Sequence, residues 1–291
     1  MKKLALVAVF AIACGLPTAQ AQTLALTYKS GDTYKYALHS TANETIDASV
    51  MKVPIKLELT AVETVTVKSV DATGKAGLSI DLTNVVMKTS TGEEINATTT
   101  TTLPTISMTV AADGRVLAVN GSSFGDSPLT LFSGGGGFIS AVLPDKPVQP
   151  NDTWSKEFDQ ANTLGTGGIH VTTKSKYLRD ESLKGIKAAV VETKTSGTID
   201  LTIDMSKVID GAPASSTPSI PAGLLQSLAM KGTVTSTVTS WIDPNGRRVM
   251  KSHKAGTTNA TMTLTGAGGS LPGLTGPITI KGDDTTDLSP V

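Results

Sequence analysis

Most of the chain alternates apolar and polar residues with a period of two, which is the pattern of a β-strand with one buried face. Between Ile55 and Val67 the odd positions are apolar and the even positions are Lys, Glu or Thr, with a break in parity only at Val62 and Glu63. Parallel strands are usually apolar on both faces, so this one-sided pattern favours antiparallel pairing. The same alternation recurs in three further segments, 78–82, 106–110 and 199–205.

The strand pattern also contains pairs of similar turn signals that occur in the same order in each half of the chain. These pairs are Gly31–Tyr34 with Asn151–Trp154, 71–74 with 180–185, and 108–119 with 240–251. They predict two degenerate repeats, at about 27–124 and 145–265. The alternative is that such turns occur independently in any β protein, because Asp-Gly and Asn-Gly suit tight hairpins.

Two inserts interrupt the strands at matching points of the predicted repeats. Segment 127–144 is apolar around a glycine run, and segment 211–232 is a Pro/Ser-rich loop leading into a predicted short helix, Gly223–Met230. A sheet with one apolar face must cover that face, so we expect both inserts to act as lids. The predicted fold is mainly β, a large curved antiparallel sheet or half-barrel with short helical or loop lids.

The first 21 residues have the organisation of a secretory signal peptide. Lys2 and Lys3 precede an apolar stretch, and Ala19-Gln20-Ala21 forms a small-residue cleavage site. The remaining chain is expected to comprise one β domain, 22–282, and a flexible tail, 283–291. The predicted location is the periplasm or the exterior. A lipid anchor on Cys14 is the minority alternative, and no later apolar run is long enough to span a bilayer.

Composition narrows the range of partners. The 25 basic and 25 acidic residues balance, so there is no electrostatic footprint for nucleic acid. Cys14 is the only cysteine, and it lies within the predicted signal peptide, which leaves no disulfide or thiolate site in the domain. Aromatic residues make up 4% of the chain, so few bulky side chains are present to fill a large curved interior.

No set of residues predicts catalysis or metal binding. The three histidines, His39, His170 and His253, lack the spacing of metal ligands and are expected on solvent faces. Ser123 lies in a Gly-x-Ser-x-Gly pattern, but a turn follows it where a nucleophile elbow requires a helix. Asp200 and Asp204 fall on the polar face of one strand. We therefore predict no enzyme activity, no catalytic or metal-binding residue and no cofactor.

The inserts suggest a ligand cavity between lid and sheet. Their glycines provide mobility, and the alternating strands provide an apolar floor. The predicted ligand-binding residues are Leu57, Leu59, Ile80 and Leu82 on the sheet and Phe132, Phe138, Leu224 and Leu228 on the lids.

Four segments, 29–40, 69–85, 108–121 and 143–158, together resemble a family of secreted bacterial β-rich proteins of unknown function. This chain has Asn151 where that family usually has glycine, and asparagine also tolerates the left-handed conformation. The resemblance implies a mainly antiparallel β protein and no catalytic residues. At the level of fold alone, the long strands and apolar lids are similar to the half-barrels of periplasmic lipoprotein carriers.

Two functions remain open at this stage. The first is a non-enzymatic binding protein that holds a lipid or another apolar ligand under the two lids. The second is a structural or protein-interaction component of the cell envelope, with an envelope protein as its partner. An apolar cavity of several hundred Å³ would favour the first function, whereas a filled interior would favour the second.

Overall fold

The computed structural model describes residues 21–48, 51–89, 94–96, 105–119, 122–123, 139–162, 165–205, 226–266 and 276–291. These residues form thirteen β-strands and no helical element. The described part of the chain accordingly contains no helix with the length and apolar character needed to cross a membrane.

All thirteen strands belong to one antiparallel sheet. Its first half contains β1 (Thr33–Ala48), β2 (Met51–Val70), β3 (Ala76–Thr89), β4 (Glu94–Asn96), β5 (Ile106–Val110), β6 (Val116–Val119) and β7 (Ser122–Ser123). Its second half contains β8 (Thr153–Ala161), β9 (Gly165–Leu183), β10 (Ile186–Asp204), β11 (Ser227–Asp243), β12 (Arg248–Thr265) and β13 (Ile278–Pro290).

The strand order is β7-β6-β5-β3-β2-β1-β13-β12-β11-β10-β9-β8, with β4 paired to β3. Two meanders run in opposite directions and meet where β1 pairs with β13. The sheet curls into a half-barrel, which confirms the predicted fold class. We call the end with the tight turns 71–75, 111–115, 184–185 and 244–247 the turn end, and the other end the distal end.

The concave face is identified by two chain segments that lie against it, 21–28 and 139–148. Leu24 and Leu26 from the first and Ala141 and Leu143 from the second are buried in one apolar cluster with side chains from most of the strands. Strands so far apart in the sheet can meet the same two segments only on the inside of the curl. The half-barrel is therefore filled near its turn end.

Serine and threonine side chains on the concave face hold segment 139–148 in place. Thr193 Oγ1 accepts a hydrogen bond from Val142 N at 2.9 Å, and Ser240 Oγ accepts one from Ala141 N at 2.8 Å. Ser175 Oγ and Trp154 Nε1 both donate to Val142 O. Backbone polar groups buried away from water need such partners, which explains the hydroxyl groups in an otherwise apolar core.

The two edges of the curled sheet meet through side chains near the turn end. Lys156 Nζ in β8 lies 2.7 Å from Asp113 Oδ2 in the turn between β5 and β6. Gln160 Nε2 donates to Val116 O at 3.3 Å, and the Arg115 guanidinium lies 4.9 Å from the centre of the Phe158 ring. We call this set of contacts the seam.

The first strands of the two meanders begin in the same way. Gly31 N donates to Val67 O and Val67 N donates to Asp32 O, while Asn151 N donates to Tyr177 O and Tyr177 N donates to Asp152 O. Gly31 and Asn151 both have positive φ, 92° and 78°. The other paired turn signals also occupy matching connections, β2–β3 with β9–β10 and β5–β6 with β11–β12. The duplication itself stays a prediction.

Two sequence predictions are wrong. The predicted helix Gly223–Met230 conflicts with β11, because 227–230 are extended and paired with β12, while 223–225 lie outside the described residues. The predicted flexible tail 283–291 conflicts with β13, which pairs with β1 on one side and β12 on the other. Leu288 in that strand is fully buried. The tail looked polar because Asp284 and Thr286 occupy positions that face the interior.

Candidate functional site

The distal half of the concave face carries apolar clusters separate from the core at the turn end. One cluster joins β9 to β12 and contains Ile169, Val171, Ile199, Leu201, Ile203, Met230 and Ala260. A smaller one joins β1 to β13 and contains Ala48, Ile278 and Ile280. Met262 packs against both clusters, so the apolar surface is continuous from β9 to β1.

Strand β2 extends this apolar surface with side chains that solvent can reach. The concave-facing residues of its distal half form the group that we call the β2 stripe: Met51, Val53, Ile55, Leu57 and Leu59. The relative exposure of Met51 is 61% and that of Ile55 is 37%, whereas the other three are partly buried. The stripe is about 27 Å long at the usual rise of an extended strand. Accessible apolar side chains in a row are typical of a binding surface.

The structure places the predicted site residues in three surroundings. Leu57 and Leu59 belong to the β2 stripe, where Leu59 packs against the core. Ile80 is fully buried in that core and Leu82 packs against it, so both lie closer to the turn end than the stripe. Leu228 packs against the cluster on β9 to β12. Phe132, Phe138 and Leu224 lie outside the described residues.

A charged group lies next to the β2 stripe on the same face. Glu44 is directly opposite Ile55 in the pairing of β1 with β2, and it is also opposite Gly282 in β13. Lys254 Nζ in β12 lies 2.7 Å from Asp284 Oδ2 in β13. That oxygen accepts no hydrogen bond within the described chain, so the contact is an ion pair with poor N–H alignment. We call Glu44, Asp284 and Lys254 the concave charge cluster.

Two glycines allow the carboxylates to lie flat against the sheet. A Cβ at Gly282 would approach Glu44 Cγ to 2.8 Å, and a Cβ at Gly256 would approach Asp284 Oδ1 to 2.6 Å. Each acidic side chain therefore covers a glycine of the neighbouring strand. Burial, and then the nearby negative charge of Asp284, raises the pKa of Glu44 above its ordinary value.

A second carboxylate, Glu63, is buried deeper in the half-barrel. It lies opposite Tyr36 on β1, has no exposed surface, and neither of its oxygens has a hydrogen-bond partner within the described chain. Burial raises the pKa of Glu63 to about 7. A charge without a partner is very unfavourable in such surroundings, so the carboxyl group is neutral under mildly acidic conditions.

The convex face is polar and carries a shallow groove of about 540 Å³. Three adjacent cross-strand rows line it: Lys56, Asn43, Asp283 and Thr257, then Ile55, Glu44, Gly282 and Thr258, then Pro54, Thr45, Lys281 and Asn259. The first and third rows face outward. Asn43 Nδ2 donates to Asp283 Oδ2 at 3.0 Å across the floor. Ile55 and Glu44 also line the groove, from the row between these two, so the groove adjoins the β2 stripe at β1 and β2.

The histidines lie on the solvent-facing side of the sheet, as predicted. Their side chains are about half exposed, and each has a carboxylate neighbour: Glu58 for His39, Asp159 and Glu157 for His170, and Asp287 for His253. The hydrogen bond to Asp159 is the main reason that the pKa of His170 is raised. Within the described ranges, no three His, Cys, Asp or Glu side chains are arranged to hold a metal ion.

The concave charge cluster was not predicted from the sequence. Glu44 shares its parity with Tyr36, Leu38 and Ile46, so the period-two pattern alone would have placed it on the apolar face. Asp284 was assigned to a tail, and its inward position follows only from the pairing of β13 with β1 and β12.

Comparison with known proteins adds no family to this description. The chain matches no protein-family model, and a search of curated proteins finds no match either.

Proposed function

We propose that this chain is a non-enzymatic exported protein that binds an apolar chain, such as a lipid tail, along the β2 stripe. The observation that carries the proposal is the exposure of Met51 and Ile55 on the same face as the buried core. Burying an apolar ligand there would remove both side chains from water at about 25 cal/mol per Å² of apolar surface. The adjoining clusters on β9 to β13 offer a second apolar wall.

The proposal differs in one respect from the cavity expected from sequence. The region around Ile80 is filled by protein side chains, so the ligand would lie closer to the distal end, against Ile55 and Leu57. Segments 21–28 and 139–148 would form the closed base of the binding region.

A titration with a fluorescent single-chain amphiphile tests this function. Ile55→Gln places an amide on the concave face and should weaken binding at least fivefold, because it removes apolar contact with the ligand. Lys56→Gln is the matched control on the next residue, which faces outward, and should bind as the unchanged protein does. Equal binding by all three proteins, or saturable binding by none, would contradict the proposal.

Export is the second component of this function. It is supported by the sequence 1–21, with cleavage after Ala21. The intact mass of the processed protein is expected to correspond to a chain that begins at Gln22. A diacylated chain beginning at Cys14 would instead establish the lipid anchor.

The convex groove supports a second candidate function, a protein-interaction component of the envelope. It offers amide, hydroxyl and charged groups across four strands, a surface suited to a polar protein partner. Asn43→Ala combined with Lys281→Ala would then reduce capture of an envelope protein without changing the amphiphile titration. If the double variant captures the same proteins in the same amounts, the groove is not the contact surface.

A further inference from the structure

We propose that the ligand of the β2 stripe is an amphiphile with a protonated amine, whose ammonium group is bound by Glu44 at the concave charge cluster. This inference rests on the proposed function, since it names the polar head of the chain bound there. It commits to one class of ligand, an alkyl chain with a cationic head.

Glu44 lies directly beside the β2 stripe, on the same face of the sheet. Residues directly opposite in an antiparallel pair have Cβ atoms about 5 Å apart and project from the same face. Glu44 and Ile55 are such a pair. A chain lying against Ile55 and Leu57 therefore has its nearest charged neighbour at Glu44.

The charge of the concave charge cluster favours a cationic head group. The cluster contains two carboxylates and one ammonium, so its net charge is −1 when all three groups are ionised. Lys254 is already paired with Asp284, whereas Glu44 forms no hydrogen bond or ion pair within the described chain. A carboxylate or phosphate head would have to displace Asp284 from Lys254. An ammonium head would meet a free carboxylate and disturb nothing.

The Glu44 side chain lies close against the neighbouring strand. Glu44 lies across Gly282, where a Cβ would approach Asn43 O to 2.6 Å as well as Glu44 Cγ to 2.8 Å. The side chain is consequently held against the sheet beside the stripe. Ordering it before binding reduces the entropic cost of a charge-assisted hydrogen bond to the ligand.

The test compares two fluorescent probes of equal chain length, an alkylammonium and a fatty acid, both below their aggregation concentrations. The ammonium probe is expected to bind about tenfold more tightly, the size of one charge-assisted contact at a partly exposed site. Glu44→Gln should remove most of that preference and leave fatty-acid binding unchanged or improved. Glu58→Gln, which removes a carboxylate from the convex face, is the matched control and should preserve the preference.

The outcomes separate the two proposals. If both probes bind equally, or the fatty acid binds more tightly, the ammonium inference is overturned and the apolar binding function stands. If Glu44→Gln keeps the full preference, the charge at Glu44 is not the cause and the inference is likewise overturned. If neither probe binds saturably, the proposed function fails first.

Discussion

Lys156 and Asp113 form an ion pair at 2.7 Å although they belong to opposite edges of the sheet. Lys156 also contacts Asp145 Oδ1 at 2.6 Å, so one ammonium joins β8, the β5–β6 turn and the segment that fills the interior. The side chains of Lys156 and Asp113 are only 13% exposed. The closed cross-section near the turn end thus depends on a nearly buried charge as well as on apolar packing.

Replacing Lys156 with Met is expected to lower the free energy of unfolding by about 2 kcal/mol, because Asp113 then keeps a poorly solvated charge with Arg115 as its remaining ion-pair partner among the described residues. Burial raises the pKa of Asp113, but Lys156 and Arg115 together lower it by a larger amount. The pKa of Asp113 therefore lies below its ordinary value. The stabilisation is therefore present above the ordinary Asp pKa and lost as the pH falls through the lowered one. Urea unfolding at neutral and acidic pH measures both effects.

Lys231→Met is the control for this prediction. Lys231 lies 3.3 Å from Asp200, but its side chain is 73% exposed, and such surface pairs contribute about 0.5 kcal/mol or less. Equal losses from the two Met variants would show that the seam contributes no more than an ordinary surface contact.

Glu63 makes the stability of the fold depend on pH. Its pKa is about 7 in the folded protein against an ordinary value of 4.5, so the folded state binds a proton more tightly than the unfolded state. Stability is complete below the ordinary pKa and falls by about 3 kcal/mol as the pH rises to the folded value. Glu63→Gln should therefore stabilise the protein at pH 8 and change little at pH 4.

Thermal unfolding of this variant at the two pH values checks the expectation, with Glu58→Gln as the control on the exposed face. The control should shift the midpoint little at either pH, because its side chain is in contact with water. A Glu63→Gln variant with the same pH profile as the unchanged protein would mean that Glu63 is ionised and solvated in the folded state.

The hydroxyl of Thr193 is expected to contribute to stability through segment 139–148. Thr193→Val keeps the shape of the side chain but leaves Val142 N without its acceptor, at a cost of about 1–2 kcal/mol. Thr195→Val, at the next concave-facing position of β10, should cost less than about 0.5 kcal/mol. Chemical unfolding of the two variants compares them, and a smaller loss for Thr193→Val than for Thr195→Val would contradict the role assigned to the hydroxyl.

The last strand is expected to be essential even though its sequence is polar. Leu288→Ala should lower the free energy of unfolding by about 2–4 kcal/mol, as truncation of a fully buried leucine does. Deletion of 283–291 should prevent folding, because it removes most of the strand between β1 and β12. Ser289→Ala, on the opposite parity, is the control. Thermal unfolding followed by circular dichroism compares the truncated and full chains. If both unfold at the same temperature, β13 is dispensable.

The sequence predicted the strands best where one face is uniformly apolar. The alternation from Ile55 to Val67 lies entirely within β2, and the turn signals at Gly114 and Gly185 coincide with backbone of positive φ. In the hairpin between β11 and β12, however, the positive φ falls on Arg247 rather than on Gly246. The sequence therefore predicted where the turns lie more reliably than it predicted which residue of each turn has positive φ.

The prediction failed where the interior is polar or where apolar residues are clustered. Thr286 and Asp284 face inward because β13 runs beside Ser40 and Lys254, a contact between distant parts of the chain. The apolar residues between Leu224 and Met230 have a spacing that is compatible with a helix, which led to the helix prediction. In the structure, however, 227–230 pair with β12. The β2 stripe was found in part, through Leu57 and Leu59, since its parity is visible in the sequence. Glu44 was not predicted, although the parity that it shares with Tyr36 and Leu38 is also visible in the sequence.

Photo-crosslinking with an alkyl probe carrying a diazirine on its chain tests the central claim most directly, because neighbouring residues of β2 face opposite sides of the sheet. Saturable labelling, mapped by mass spectrometry, is expected at Met51, Ile55 and Leu57 and should be displaced by unlabelled amphiphile. Labelling at the outward residues Lys52, Lys56 and Glu58, or labelling that never saturates, would contradict binding on the concave face.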